Sequence, residues 1–202
     1  EAGNRCYDLR VPEEINRKLV DHISDINFTY TEHARRNLLN EGLHPAQIIK
    51  TGSPMKEVLD FSKKKIEKSD ILKKLKLNKK KYFLASIHRE ENVDNDSKLS
   101  SIVKTLNQII KKYNSKIILS LHPRTKKRLK EKNIELQKDI IDLPPFGFND
   151  YIFLQKNSIC VISDSGTIME ESAILGFPAI TIREATERPE GIDKGALIMT
   201  GL

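Results

Sequence analysis

The stretch Tyr82-Phe83-Leu84-Ala85-Ser86-Ile87, followed by His88-Arg89-Glu90-Glu91-Asn92, is nearly continuous in apolar residues and then abruptly polar. A strand with one wet face alternates apolar and polar residues, whereas a strand covered on both faces does not. Residues 82–87 therefore predict a strand in a parallel sheet sandwiched between helices. Downstream, the pattern predicts a helix over 99–113, a strand over 116–121, a helix over 125–132 and a strand over 140–143. A helix over 149–156, a strand over 159–163, a helix over 166–175 and strands over 179–182 and 196–200 follow. This alternation implies an α/β fold with a doubly wound parallel sheet and right-handed crossovers.

Upstream, Pro12-Glu13-Glu14 sets proline and acids in a first helical turn, predicting a helix to about residue 24. A strand over 26–30, a helix capped by Thr31 and running to Leu39, and a strand over 48–50 then make two αβ steps of a separate sheet. Between Lys63 and Lys81, lysines flank Ile66, Ile71, Leu72 and Leu75 at helix-like spacing, as a solvated face over a buried stripe.

With 202 residues, 38% hydrophobic, 31% charged and 6% aromatic, the chain excludes collagen, coiled coil and wholesale disorder. No apolar run nears the roughly 18 residues of a membrane span, so no membrane partner is expected. Cys6 and Cys160 stand far apart, which signals neither a metal cluster nor a disulfide framework and points to the cytoplasm. The net charge of +7 raises a nucleic-acid hypothesis, but aromatic residues do not interleave with the lysines, so no nucleic-acid partner is expected. The opening Glu1-Ala2-Gly3 and the end just after a strand suggest a piece of a longer protein.

Four segments carry candidate chemistry. Ser163-Asp164-Ser165-Gly166-Thr167-Ile168-Met169-Glu170-Glu171 reads as strand, small-residue turn and helix start, the arrangement that receives a phosphate on free N–H groups. Glu170 or Glu171, more than a turn further along, could reach past the phosphate to a sugar hydroxyl, although a capped helix with solvated acids has the same pattern. His88 and Arg89 follow one strand, and His122 and Arg124 the next, at the sheet edge where ligands of open α/β sheets bind. Glu13 and Arg17 are spaced as an i,i+4 ion pair. Alternatively Glu1 and Glu13 form a carboxylate pair whose crowding splits their pKa values into acid and base roles. Arg188, in Thr186-Glu187-Arg188-Pro189-Glu190, could clamp a diphosphate or belong to a charged surface turn.

Taken in order, Glu1-Ala2-Gly3, Pro12-Glu13-Glu14 with Asn16-Arg17, His88-Arg89-Glu90, Asp164-Ser165-Gly166 with Glu170-Glu171, and Thr186-Glu187-Arg188-Pro189-Glu190 resemble the non-hydrolysing UDP-N-acetylglucosamine 2-epimerases. The resemblance implies a GT-B-type fold of two Rossmann-like doubly wound parallel sheets, the first incomplete here. Residues 1–60 would close the N-terminal domain and 61–202 form most of the C-terminal, UDP-binding one. It implies interconversion of UDP-GlcNAc and UDP-ManNAc by elimination and re-addition of UDP, without metal or other cofactor, in a homodimer. By the same match Glu1, Glu13 and His88 are catalytic, and Arg17, Ser165, Gly166, Glu171 and Arg188 contact the UDP-sugar, Ser165 at a phosphate and Glu171 at the ribose. The segments Glu1-Ala2-Gly3-Asn4-Arg5-Cys6 and Gly52-Ser53-Pro54-Met55 look more like the branch acting on UDP-2-acetamido-2,6-dideoxy-L-talose, in capsule and O-antigen synthesis. The arginine, lysine and aspartate that the family places earlier are not in this chain, which implies that it is inactive alone. A GT-B glycosyltransferase and a non-catalytic UDP-binding remnant are the alternatives.

Overall fold

The computed structural model describes the chain apart from Arg10, Lys194, Ala196, Leu202 and the Pro12 side chain. The first helix, α1 (Pro12–Ile23), leads to strand β1 (Asn27–Thr29), helix α2 (Glu32–Asn40) and strand β2 (Ile48–Lys50). Thr31 caps α2 as expected, its Oγ1 accepting from the Ala34 amide at 3.1 Å. Strands β1 and β2 pair in parallel, Asn27 opposite Ile48. Leu19, Ile23, Phe28 and Ile49 are exposed on this small layer.

Helix α3 (Met55–Glu67) and the single turn α4 (Ile71–Lys74) follow. The lysine-flanked stripe is thus two pieces, broken between Glu67 and Ile71, although Ile66, Ile71 and Leu72 are buried as their spacing predicts. Leu59 and Ile66 of α3 pack on Ile152, with Met55, Phe153 and Leu175 around them. This apolar contact seats α3 on the larger layer.

That layer runs β3 (Tyr82–Ile87), α5 (Glu90–Val93), α6 (Asp96–Tyr113), β4 (Lys116–Leu121), α7 (Pro123–Glu131), β5 (Ile140–Leu143), α8 (Phe148–Asn157) and β6 (Val161–Ser163). It ends with α9 (Ile168–Leu175), β7 (Ala179–Thr181), α10 (Glu190–Asp193) and β8 (Ile198–Met199). The six strands pair in parallel in the order β5-β4-β3-β6-β7-β8, the expected doubly wound arrangement. Strand β3 buries both faces: Phe83, Ala85 and Ile87 pack with Leu99, Ile102 and Leu106 of α6, while Tyr82 and Leu84 pack with Leu154 and Ile168.

Several boundaries differ from expectation. Helix α6 begins at Asp96, because Asn95 accepts from the Lys98 amide and so starts the helix before its first apolar residue. Helix α7 begins at Pro123, with His122 as its cap. Ile159 and Cys160 precede β6 rather than belonging to it, and α9 starts at Ile168 because residues 165–167 form a turn. The last strand is shorter than expected, and Ala196 lies outside the described residues.

Candidate active site

In the larger sheet the chain starts at β3, steps outward through β4 and β5, then returns to pair β6 against β3. The connections leaving β3 and β6 diverge, and the crevice beyond their C-terminal ends is where ligands of this topology bind. His88 leaves β3 and Asp164 leaves β6 at that point.

Asp164 is fully buried. Both of its oxygens accept from the His88 amide at 3.1 Å, and one also accepts from the Arg89 amide at 3.0 Å. Asn92 Nδ2 donates to the same carboxylate at 3.2 Å, and His88 Nδ1 lies 3.0 Å from Oδ1. Burial alone would raise this carboxyl's pKa, but the His88, Arg89 and Asn92 donors outweigh it and hold the group below its ordinary value. The His88 and His122 ring centres are 6.2 Å apart, and both line a cavity of about 860 Å³ with Glu13, Asn16, Arg89 and Arg124. His122 Nδ1 accepts from the Arg124 amide, and Arg124 pairs with Glu90, so this second His–Arg arrangement holds its own helix start.

Glu1 sits at the meeting of the two layers. Arg17 Nη2 donates to its Oε2 at 2.9 Å, and Arg188 Nη2 donates to its Oε1. Partial burial acts to raise the Glu1 pKa, but Arg17 and Arg188 together hold it below the ordinary value. The expectation of a crowded Glu1–Glu13 pair with split pKa values is therefore corrected, because the groups bonded to Glu1 are cations. Glu13 and Glu1 do line one concavity with Asn16 and Arg17, and Glu13 lies 3.8 Å from Arg89. The i,i+4 alternative does not describe Arg17, whose partners are Glu1 and, at 3.7 Å, Glu187.

Arg188 is buried and central. Its Nη1 donates to the Gly166 carbonyl at 3.2 Å and lies 3.0 Å from Glu170, which accepts from Ser53 Oγ at 2.9 Å. Arg188 Nε and Arg17 Nη1 are buried without an acceptor among the described residues. Ser165 Oγ bonds Thr167 Oγ1 at 3.1 Å in the turn before α9. A side chain at Gly166 would come within 3.1 Å of Glu187, which pairs with Arg183 at 2.8 Å. Glu171 faces inward from α9 and accepts from Gln155 Nε2 at 2.6 Å. Tyr151, bonded to Ser86 and Gln155, has its phenol pKa pushed up to about 12 by burial, with Glu171 and Asp164 adding to the rise.

The structure thus brings Glu1, Arg17, Arg188 and Gly166 together, sets Glu13 and His88 around one cavity, and places Ser165 and Glu171 on the turn and helix beside them. Sequence reasoning offered Glu170 only as an alternative to Glu171 at a sugar hydroxyl, not as the partner of Arg188, and left Asp164 and Asn92 out of the candidate site. Asp164 stood in the quoted motif, but its partners lie 72 to 76 positions away, across a strand pairing that no local pattern announces.

Comparison with known proteins places the chain in a family. The profile of the family described as UDP-N-acetylglucosamine 2-epimerase matches residues 1–202. A solved UDP-N-acetylglucosamine 2-epimerase from Rickettsia bellii is 55% identical, with a TM-score of 0.91 over all of this chain and 53% of that one. The Methanocaldococcus jannaschii UDP-GlcNAc 2-epimerase, solved in complex with UDP-GlcNAc and UDP, is 42% identical with a TM-score of 0.92, over all of this chain and 57% of that one. The UDP-2,3-diacetamido-2,3-dideoxy-D-glucuronate 2-epimerase of Pseudomonas aeruginosa is 36% identical over 204 residues, all of this chain and 55% of the relative. The chain spans a little over half the length of the curated relatives it matches. With the whole chain matched by the profile and the GT-B-type α/β layers shared with solved epimerases, the chain belongs to the UDP-N-acetylglucosamine 2-epimerase family.

Proposed function

We propose that the protein carrying this chain is a UDP-sugar 2-epimerase that interconverts UDP-GlcNAc and UDP-ManNAc, or the related 2,6-dideoxy-L-sugar pair, for cell-surface polysaccharide synthesis. The observation that carries this reading is the meeting of Arg188, Arg17 and Glu1 between the layers, beside the His88 crevice. Two arginines that each keep a buried, unused donor suit a diphosphate, and a carboxylate held between them suits a base that works only once the diphosphate is bound. In the elimination, a carboxylate takes the C2 proton while the C1–O bond breaks and its electron pair leaves with UDP, forming a C1=C2 double bond. Protonation at C2 from the other face and return of UDP to C1 complete the change. Glu1 and Glu13 are assigned the proton transfers and His88 the departing diphosphate.

Arg17 positions the substrate, Ser165 and Gly166 meet a phosphate, and Glu171 takes the ribose hydroxyls after releasing Gln155. Residues 1–60 act as the end of one domain and 61–202 as most of the UDP-binding domain, in a cytoplasmic homodimer. The reaction requires no metal or nicotinamide. The names of the M. jannaschii complex and the P. aeruginosa relative support a UDP-sugar ligand and leave the sugar to experiment. The test is incubation of the full-length protein with UDP-GlcNAc in deuterated water. Formation of UDP-ManNAc with deuterium at C2 is expected, whereas turnover without exchange, or glycosyl transfer, would exclude the assignment.

A further inference from the structure

We infer that Asp164 is a positioning residue that fixes the proton of the neutral His88 ring on Nδ1 and so presents a bare Nε2 to the crevice. This deepens the reading of His88 as catalytic and rests on it. An ionised carboxylate only accepts hydrogen bonds, so the ring nitrogen 3.0 Å from Asp164 must be the donor. The other donors leave the carboxylate little freedom to turn away. Two successive backbone amides, His88 and Arg89, and the Asn92 side chain all converge on it. Asn92 is buried and belongs to α5, the turn that directly follows His88. Asp164 therefore ties together the exit of β3, α5 and the exit of β6 at the topological crossover. The His88 side chain is 41% exposed while Asp164 is at 0%, so one end of the imidazole is anchored in the protein and the other faces the cavity.

Proton traffic at the sugar and diphosphate needs one defined nitrogen facing the ligand. A ring with its proton on Nδ1 can take a second one from solvent at Nε2, and Asp164 balances the imidazolium whose Nε2–H then donates to the departing diphosphate. A ring protonated on Nε2 alone, with Nδ1 facing a donor, cannot become that cation, and reversal would require breaking the Asp164 bond. In Asp164→Asn the amide oxygen can still receive the backbone N–H groups, which turns the amide NH₂ toward His88 Nδ1. The ring proton must then move to Nε2.

The experiment uses the full-length protein with ¹⁵N-labelled histidine, at a pH where the imidazole is neutral. The wild-type His88 spectrum is expected to show a protonated Nδ1 and an unprotonated Nε2. In Asp164→Asn the assignment should reverse, with kcat for epimerisation falling about 10²- to 10⁴-fold and UDP affinity changing less than about threefold. Adding Asp164→Asn to His88→Ala should cost no further rate, because Asp164 acts through the ring. A wild-type ring protonated on Nε2, an unchanged tautomer in the variant, or a further loss in the double variant would overturn the inference. The wild-type spectrum decides the matter even if Asp164→Asn does not fold. Absence of epimerisation by the wild type would instead overturn the functional assignment, with the tautomer read independently.

Discussion

At the scale of single residues, the site is held by groups whose chemistry leaves them few alternatives. Gly3 has φ of +76°, and a Cβ there would lie 2.1 Å from the Ala34 carbonyl oxygen. Its amide donates to Asp21 at 2.9 Å, and Asp21 also meets Arg5 at 2.8 Å. The bend at Gly3 thus places Glu1 beside Arg188. Gly3→Ala is expected to lower stability by more than about 2 kcal/mol, from left-handed strain plus displacement of α2. Urea unfolding followed by circular dichroism checks this, and an unchanged midpoint would contradict it. Arg188 links Glu1, Glu170 and Gly166 through one guanidinium. If it also holds the diphosphate, Arg188→Ala should weaken UDP binding about ten- to a hundredfold, the value of one or two charge-assisted hydrogen bonds. Calorimetric titration of UDP into the full-length protein measures it, and an unaltered Kd would remove Arg188 from the site.

At the scale of elements, continuous apolar runs were the readable signal. Strands β2 to β5 fall on the expected residues, and the signal is strongest in β3 and β4, whose runs are mostly apolar and buried. The β6 and α9 boundaries were less legible, since Ile159 and Cys160 are apolar yet half-buried and the 165–167 turn looks like a helix start. Nor could the sequence distinguish the roles of Glu170 and Glu171. One residue of helical phase sends Glu171 to Gln155 in the interior and Glu170 to Arg188 and Ser53 between the layers. The cationic setting of Glu1 was equally hidden, because Arg188 is 187 positions away. The seat of α3 depends on Ile152, which is fully buried against Leu59 and Ile66. Ile152→Ala should cost about 2–5 kcal/mol and loosen α3. Amide hydrogen exchange would show this as faster exchange in α3 than in β3 and β4, and uniform protection would argue against a separate seat.

At the scale of the whole molecule, four of the carboxylates held below their ordinary pKa join separate parts of the fold and so shape how stability responds to acid. Arg5 and His22 hold the Glu41 pKa down against partial burial. For Glu1, Asp164 and Glu187, burial acts upward, but the arginines around Glu1, the His88 cluster around Asp164 and Arg183 beside Glu187 bring each below its ordinary value. A carboxyl whose pKa is lower folded than unfolded binds protons more readily in the unfolded chain. Its contribution is therefore complete above the unfolded value, 4.5 for the glutamates and 3.8 for Asp164, and is lost as pH falls through the folded value. The four groups join the Gly3 bend to α2, the first layer to the second, β3 to β6, and the Arg183 segment to Arg188, so their protonation loosens several contacts together. The urea midpoint should stay nearly level from about pH 7 to pH 5 and fall progressively below about 4.5. Asp164→Asn should be less stable than wild type at pH 7 yet lose less on acidification, because one of the proton-linked groups is gone. Equilibrium urea titrations at pH 7, 5, 4 and 3 measure both slopes. A midpoint that held level to pH 3, or parallel slopes for the two proteins, would contradict this account of how the layers are held together.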